Sequence, residues 1–165
     1  MPIPSRSRVF LAVVLAGVAL GGCGKSAKIP TEKFIYTTSA DCASGGKVST
    51  ADCDKAIETA LVEHDKLAIK YATMADCDKM EGPERCERVA ERHYRPRLMS
   101  FLFVVNEKVV ATPLYAVQVS VNRSATLFRD AGGTTYDWER TEGITFSRAA
   151  IRKAEGFTPI KHRRS

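Results

Sequence analysis

Cysteines are the residues of this chain whose type and spacing carry the most chemistry. The sequence contains five of them. Thiols form disulfides, bind metal ions, exchange electrons or carry lipid, and their spacing separates these uses. Cys23 stands alone at the end of an apolar run, whereas the others stand in two pairs farther along. These paired residues are Cys42, Cys53, Cys77 and Cys86.

An internal repeat encloses the paired cysteines. Residues 36–42 are matched by residues 71–77, with Tyr, Thr, Ala, Asp and Cys at the same relative positions. Each unit continues through a glycine-containing turn to a second cysteine. Because each half brings its own pair, the repeat favours one disulfide within each unit, Cys42 with Cys53 and Cys77 with Cys86. Four cysteines permit two further connectivities, which would join the units.

Zinc and redox uses of these thiols are less favoured. Structural zinc sites usually present close pairs such as C-x2-C, and redox-active pairs are usually C-x-x-C at a helix start. The sequence has neither spacing. We therefore predict structural disulfides, no metal and no cofactor. Disulfides persist in oxidising compartments, so this prediction requires export from the cytosol.

The elements that position the cysteines are predicted to be short helices. Thr38 or Ser39 in the first unit, and Thr73 in the second, are typical helix caps. Gly45-Gly46 and Gly82-Pro83 would then reverse the chain. In each unit the second cysteine is expected to open another helix, so that each unit is a helical hairpin closed by a disulfide.

Helical spacing predicts the buried face of each second helix. In the first unit, Ser49 and Asp52 resemble a capping box. The residues expected to face inward there are Cys53, Ala56, Ile57, Ala60, Leu61, His64 and Leu67. In the second unit, Pro83 suits the first turn, with Cys86, Val89 and Ala90 inward. The residues expected outward are Glu84, Arg85, Glu87, Arg88, Glu91 and Arg92.

The second half of the chain is rich in strand-forming residues. Residues 98–105 and 108–119 are predicted strands, with Asn106-Glu107 as a turn and Pro113 as a break. Residues 125–129 and 134–138 are predicted to form a β-hairpin around the Gly-rich turn 130–133. A short strand over 144–146 and a helix over 147–154 are expected to follow. The predicted fold class is α+β.

The N-terminal residues are typical of a targeting segment. Arg6 and Arg8 precede the uncharged apolar residues 9–20, which are too few to span a membrane as a helix. The tetrapeptide Leu20-Gly21-Gly22-Cys23 resembles a bacterial lipobox, which predicts cleavage before Cys23 and acylation of its thiol. The alternatives are an ordinary signal peptide with a soluble product and an uncleaved anchor.

These features divide the chain into a signal peptide over 1–22, a lipid-anchored linker over 23–33, one domain over 34–154 and a basic tail over 155–165. Within the domain we expect repeat units over 36–70 and 71–95 and a β-rich part over 98–146. The tail residues Lys161-His162-Arg163-Arg164 would touch anionic headgroups or cell-wall polymer, although a solvated tail is the favoured interpretation.

The expected partners follow from anchoring at Cys23. They are the membrane itself, reached through the lipid, and an envelope protein or a cell-wall component. The formal net charge of +6 falls by two when Arg6 and Arg8 are removed, and nucleic acid is not expected as a partner after export. Gly24 replaces the aspartate that marks inner-membrane retention in some bacteria, which favours the outer membrane. The sequence does not specify an oligomeric state.

No residue constellation in the sequence identifies a reaction. The histidines His64, His93 and His162 are far apart, and His64 is predicted to be a packed or half-exposed helix residue rather than a ligand. Asp41, Asp52 and Asp76 are predicted to interact with helix N-termini. The least implausible catalytic acids are Asp137, Glu139 and Glu142, beside Trp138.

Tyr36 and Tyr71 recur identically in the repeat. They would form a paired aromatic recognition surface, or each would cover its neighbouring disulfide, which is the favoured interpretation. The lead hypothesis for function is a non-enzymatic binding or structural module of the cell envelope. The alternative is an envelope enzyme that acts on cell-wall polymer or on thiols.

With these motifs in place, the chain resembles the YgiB-type family of uncharacterised proteobacterial envelope proteins. The resemblance rests on Gly22-Cys23, the motif of residues 36–42, Cys53, Lys70-Tyr71-Ala72-Thr73-x-x-Asp76-Cys77, Cys86, Pro113-Leu114-Tyr115 and Phe128-x-Asp130-Ala131-x-Gly133-x-x-Tyr136. It implies an envelope protein and supplies no catalytic residues. The chain lacks the long Gly- and Gln-rich insertion of some members, so no role of that insertion transfers to it.

Overall fold

The computed structural model describes residues 30–117 and 127–156. The predicted signal peptide, Cys23, His162 and most of the basic tail lie outside the described residues, as do 118–126. The described elements are β1 (Glu32–Tyr36), α1 (Ser39–Ser44), α2 (Thr50–Leu67), α3 (Met74–Glu81), β2 (Cys86–Ala90), β3 (His93–Pro96), β4 (Leu98–Val105), β5 (Val109–Ala116), β6 (Leu127–Arg129), β7 (Thr135–Asp137), β8 (Thr145–Phe146) and α4 (Arg148–Glu155). The predicted α+β class is confirmed.

Each described helix begins after a serine or threonine whose side chain accepts a backbone N–H from the first turn. The caps are Thr38, Ser49, Thr73 and Ser147. The first turns of α1, α2 and α3 each contain an aspartate, as the sequence predicts, and these are Asp41, Asp52 and Asp76. Carboxylates there interact favourably with the positive end of the helix dipole.

A six-stranded sheet forms the centre of the fold, in the order β7-β6-β5-β4-β1-β8. Its pairings are antiparallel except for β1 with β8, which are parallel. Strand β1 was not predicted, and it begins at Glu32, inside the expected linker. The sequence conceals it because Phe34, Ile35 and Tyr36 are all buried, so the alternation of a half-exposed strand is absent.

Helices cover both faces of the sheet. On one face, Phe34 and Tyr36 of β1 pack with Phe103 of β4 and the stapled helices α1 and α2. On the other face, Ile35 packs in a cluster that also contains Phe128 and the alanines of α4. Successive strand residues point to opposite faces, so β1 contributes to both layers of the core.

The buried face of α2 is narrower than the predicted one. Ala56 and Ala60 are buried, and the helix packs against β5. Leu61 and Leu67 are instead 42% and 64% exposed, and Ile57 is only half-buried. Small side chains at the contact let the helix lie close to the sheet, so residues at the edges of the predicted stripe fall outside the contact.

The chain after Cys77 departs from the predicted helical hairpin. Helix α3 is present, but Cys86 opens strand β2, which pairs with β3. Glu84, which lies inside the expected helix, has a φ of 65°, a value that a right-handed helix does not contain. As a consequence, Arg85 is buried rather than outward, and Val89, expected inward, is 46% exposed.

The remaining strands largely follow the prediction. Strand β4 has the expected bounds, but β5 continues through Pro113, which was predicted to break it. In the described residues β6 pairs with β5 only at Tyr115 and Ala116. The side of Pro113 away from β4 therefore resembles a strand edge, where proline is tolerated. The predicted hairpin is present as β6 and β7, and the predicted C-terminal helix is α4.

Both predicted disulfides are confirmed. Cys42 is joined to Cys53 and Cys77 to Cys86, at sequence separations of 11 and 9 residues. All four side chains are buried. The first bond joins α1 to α2, and the second joins α3 to β2, so each bond lies within one repeat unit. Within residues 30–117 and 127–156, no helix has the combined length and apolarity that crossing a membrane requires.

We predict that replacing Cys42 and Cys53 together by alanine lowers the free energy of unfolding by about 2–5 kcal/mol, the usual loss for a native disulfide in a small domain. Chemical denaturation of the oxidised protein, followed by circular dichroism, measures this change. Replacing both cysteines avoids a free thiol. Unchanged stability would contradict a structural role for this bond.

Candidate functional site

A buried ion pair connects the second repeat unit to the sheet. Glu81, the last residue of α3, is 5% exposed, and its carboxylate lies 2.5 Å from the Arg129 guanidinium of β6. Its other oxygen accepts a hydrogen bond of 2.8 Å from the Tyr71 hydroxyl. Arg129 also lies 5.5 Å from the ring centroid of Tyr115 on β5. Both oxygens of the buried carboxylate are therefore occupied.

Tyr71 has a defined role in this cluster. Burial and the hydrogen bond to Glu81 raise the pKa of Tyr71 to about 12, so its hydroxyl stays protonated and donates. The same repeat unit forms an isolated bridge between the backbones of Tyr71 and Tyr94, which attaches the start of the unit to β3. The hydroxyl of this repeated tyrosine is thus engaged inside the fold.

His64 lies beside the same cluster, on the other side of Tyr115. It is 1% exposed, and its Nδ1 lies 2.9 Å from the Tyr115 hydroxyl. Its Nε2 faces the Glu87 carboxylate at 3.6 Å, and Glu87 in turn accepts a hydrogen bond of 2.7 Å from Arg95. Burial, followed by the nearby Arg95 charge, lowers the pKa of His64. The imidazole is accordingly neutral and packed, as the sequence predicts.

The other candidate ligands do not gather around His64. His93 is exposed on β3, and its Nδ1 lies 3.0 Å from the backbone oxygen of Glu91. In the two described ranges, no group of three or more His, Cys, Asp or Glu side chains is placed to hold a metal ion. The four cysteines of these ranges are disulfide-bonded.

The acids beside Trp138 belong to a tight loop after β7. Asp137 is buried, and its Oδ1 accepts the N–H of Glu139 at 2.8 Å. Its own N–H donates to the Thr141 hydroxyl, and its carbonyl oxygen accepts the Thr141 N–H, both at 2.8 Å. Glu139 and Glu142 are exposed. The Asp137 carboxylate therefore closes the loop by bonding to its backbone.

Tyr36, the counterpart of Tyr71, borders a surface groove. Its ring is 5% exposed and packs on Phe34 and Phe103, with ring centroids 5.7 and 5.4 Å away. The ring lies against Gly45, where an added Cβ would approach its Cζ to 2.9 Å, so only glycine fits there without displacing the tyrosine. Burial, then the charges of Asp41 and Glu32, raise the pKa of Tyr36, so the hydroxyl is protonated.

The groove has a volume of about 560 Å³ and lies between β1, α1 and the start of α4. Asp41 connects these elements, because its Oδ2 accepts hydrogen bonds from the Thr37 N–H at 2.8 Å and from the Ser147 hydroxyl at 2.6 Å. The residues that border the groove and bear on its chemistry are Glu32, Tyr36, Asp41, Lys47, Arg148 and Arg152. Tyr36 and Tyr71 therefore lie in different environments.

The sequence analysis did not identify the residues that the second half of the chain contributes to the Glu81 cluster and to the Tyr36 groove. Ser147 was predicted as the first residue of the C-terminal helix and could have been identified as its cap, to which the Ala150 N–H donates. No comparable local pattern marks the arginines Arg129, Arg148 and Arg152. Their partners are distant in sequence, and nothing local distinguishes them from solvated surface arginines.

We predict that Arg129→Met lowers the free energy of unfolding by about 3–5 kcal/mol, since it leaves the Glu81 carboxylate buried without its cation. The double variant Glu81→Gln/Arg129→Met removes that charge and recovers part of the loss. Denaturant titrations of both variants test this. If the single and the double variant lose the same free energy of unfolding, the ion pair does not hold the second unit to the sheet.

We predict that the free energy of unfolding falls as the pH is lowered below about 6.5, the ordinary value for histidine. The pKa of His64 is lowered in the folded state, so the unfolded chain takes up the proton first. The stability that His64 contributes is present above pH 6.5 and is lost as the pH falls toward the pKa of His64 in the folded state. The pKa of Asp65 is also lowered, below 3.8, so its contribution is lost only at lower pH.

Denaturation curves between pH 5 and pH 8 for the wild-type chain and His64→Gln measure this effect, over the range in which histidine titrates. His93→Gln, at an exposed position of β3, supplies the matched histidine-to-glutamine control. An identical pH dependence in His64→Gln would contradict the assignment to His64.

The comparisons with known proteins identify a family and no structural relative. Residues 30–163 match the family described as protein of unknown function (DUF1190). No solved structure matches the chain. The matched range contains both stapled units, the sheet and the C-terminal helix, and the YgiB-like resemblance of the motifs fits this match. The chain belongs to the DUF1190 family.

Proposed function

We propose that this chain is a bacterial cell-envelope lipoprotein whose domain is a non-enzymatic binding or structural module. Lipid on Cys23 would hold it to a membrane, with the domain facing the periplasm and the outer membrane favoured. The observation that carries the proposal is the pairing of Cys42 with Cys53 and Cys77 with Cys86. Such buried disulfides persist in oxidising compartments, and the preceding sequence has the features of an export signal.

The contacts of the buried titratable groups support binding rather than catalysis. Glu81 is occupied by Tyr71 and Arg129, and Asp137 is occupied by the backbone of its own loop. The His64 Nδ1 is bonded to Tyr115. A catalytic acid or base needs access to a substrate proton, whereas these groups face other parts of the fold.

The groove at Tyr36 is the best candidate for a binding surface. It opens to solvent on the face where β1 and α4 meet and combines aromatic, hydroxyl and basic groups. Its volume of about 560 Å³ lies within the range of small-ligand sites. The partners that we propose are the membrane and an envelope protein or cell-wall component, with no role for nucleic acid.

We predict that Cys23→Ser abolishes acylation and releases the protein from the membrane fraction. Acyl chains supply about 0.8 kcal/mol for each buried methylene, and the rest of the chain would not match that affinity. Fractionation of cells, with mass spectrometry of the N-terminal peptide, measures both effects. The matched control Cys42→Ser/Cys53→Ser removes two other cysteines, which form a disulfide, and should remain acylated. Unchanged acylation and membrane retention in Cys23→Ser would refute the anchor.

A further inference from the structure

The charges in the Tyr36 groove do not cancel. Its two carboxylates are occupied within the fold, since Glu32 pairs with Lys47 at 3.4 Å and Asp41 accepts hydrogen bonds from Thr37 and Ser147. The groove is also bordered by two arginines of α4, Arg148 and Arg152. The formally charged side chains that border the groove, two acidic and three basic, therefore leave a net charge of +1.

Helix electrostatics disfavours Arg148, which stands at the positive end of α4, whereas Arg152 stands in the last turn, where a cation is favoured. Arg148 and Arg152 are four residues apart and share one face of α4, where like charges destabilise a helix. In the described ranges neither has an acidic side chain within 4.0 Å. Arg148 also stands in the first turn, which lacks an acidic residue. A bound anion would relieve both penalties, because it neutralises the pair and the helix N-terminus.

The Tyr36 hydroxyl is a separate observation that points to a ligand. Its side chain is 95% buried and borders the groove, yet no described residue makes a hydrogen bond to the hydroxyl. The hydroxyl is protonated and therefore available as a donor. The hydroxyl oxygen is itself accessible from the groove, where water or a ligand group would accept its hydrogen bond.

The position of the groove relative to Cys23 limits what reaches it. Glu32 and Phe34 of β1 border the groove. The segment from Cys23 to Glu32 spans at most about 30 Å when fully extended. If Cys23 is acylated, the groove is held within that distance of the bilayer surface, where phosphate-bearing headgroups are the most concentrated anions.

We propose that this groove binds the phosphate of an anionic phospholipid headgroup in the membrane that holds the lipid anchor. Arg148 and Arg152 contact the phosphate oxygens, as arginine does in other phosphate sites, and the Tyr36 hydroxyl donates to the same group. The inference rests on the proposed function for the nearness of the membrane. It deepens that proposal by naming the ligand of the groove.

Vesicle binding tests the proposal without the lipid anchor. The chain from position 23 with Cys23→Ser is mixed with vesicles that contain phosphatidylglycerol or with vesicles of phosphatidylcholine alone, and the bound fraction is measured by sedimentation. In all variants the basic residues of the tail, Lys161, Arg163 and Arg164, are replaced by glutamine, which removes their contribution. We expect binding to the anionic vesicles only.

The groove variants should lose this binding. Arg148→Gln/Arg152→Gln is expected to lower the partition coefficient about thirtyfold, the factor that two basic residues at an anionic surface supply. Tyr36→Phe should lower it severalfold while keeping the packed ring. The matched control, Lys66→Gln/Lys79→Gln on exposed positions of α2 and α3, removes the same charge away from the groove and should bind more strongly than the arginine variant. Thermal unfolding verifies that each variant is folded.

Several outcomes would overturn the proposal. Equal losses in the arginine variant and the lysine control would show a diffuse surface charge instead of a site. If inorganic phosphate protects the groove and the chain binds no vesicles, the ligand of the groove is free phosphate. Binding to isolated cell-wall polymer but not to vesicles would assign it to that partner. Each result is independent of acylation, so failure here is distinguishable from failure of the anchor at Cys23.

Discussion

The two disulfides close short loops, and the rest of the described fold depends on where those loops lie. The bond between Cys42 and Cys53 fixes α1 against α2, which positions Asp41 and the turn at Gly45 beside the sheet. The bond between Cys77 and Cys86 fixes α3 against β2. Because each bond acts within one unit, the two units are shaped separately and attach to the sheet by different means.

The repeated sequence therefore has two structural outcomes. In the first unit, Tyr36 lies in the core beneath a glycine and borders a groove, while the following helix packs on β5. In the second unit, Tyr71 donates to Glu81, which pairs with Arg129 across the boundary with the sheet. A duplicated motif thus supplies one unit that shapes a candidate binding surface and another that is held by a buried ion pair.

Local signals in the sequence were sufficient for much of this fold. The caps at Thr38, Ser49 and Thr73, the disulfide pairing and the β6–β7 hairpin depend on residues close together in the chain, and all are confirmed. The interpretation of Cys86 as a helix start failed because pairing with β3 and the left-handed backbone at Glu84 overrode helical spacing. Strand β1 was missed because burial on both faces removes alternation.

The candidate site was less predictable than the fold. Tyr36 was identified from the repeat, but Arg148 and Arg152 are brought to it only by the parallel pairing of β1 with β8 and the cap at Ser147. Such contacts between distant segments leave no periodic trace in one sequence. The same holds for Glu81 and Arg129, whose pairing spans 48 residues.

The most direct test of the account is the state of the cysteines in the native protein. Protein isolated from cells under acid quenching is digested without reduction, and its peptides are identified by mass spectrometry. We expect peptides that join Cys42 to Cys53 and Cys77 to Cys86, with no free thiol among these four residues. Free thiols at these positions, or peptides that join one repeat unit to the other, would contradict both the exported state and the separately stapled units.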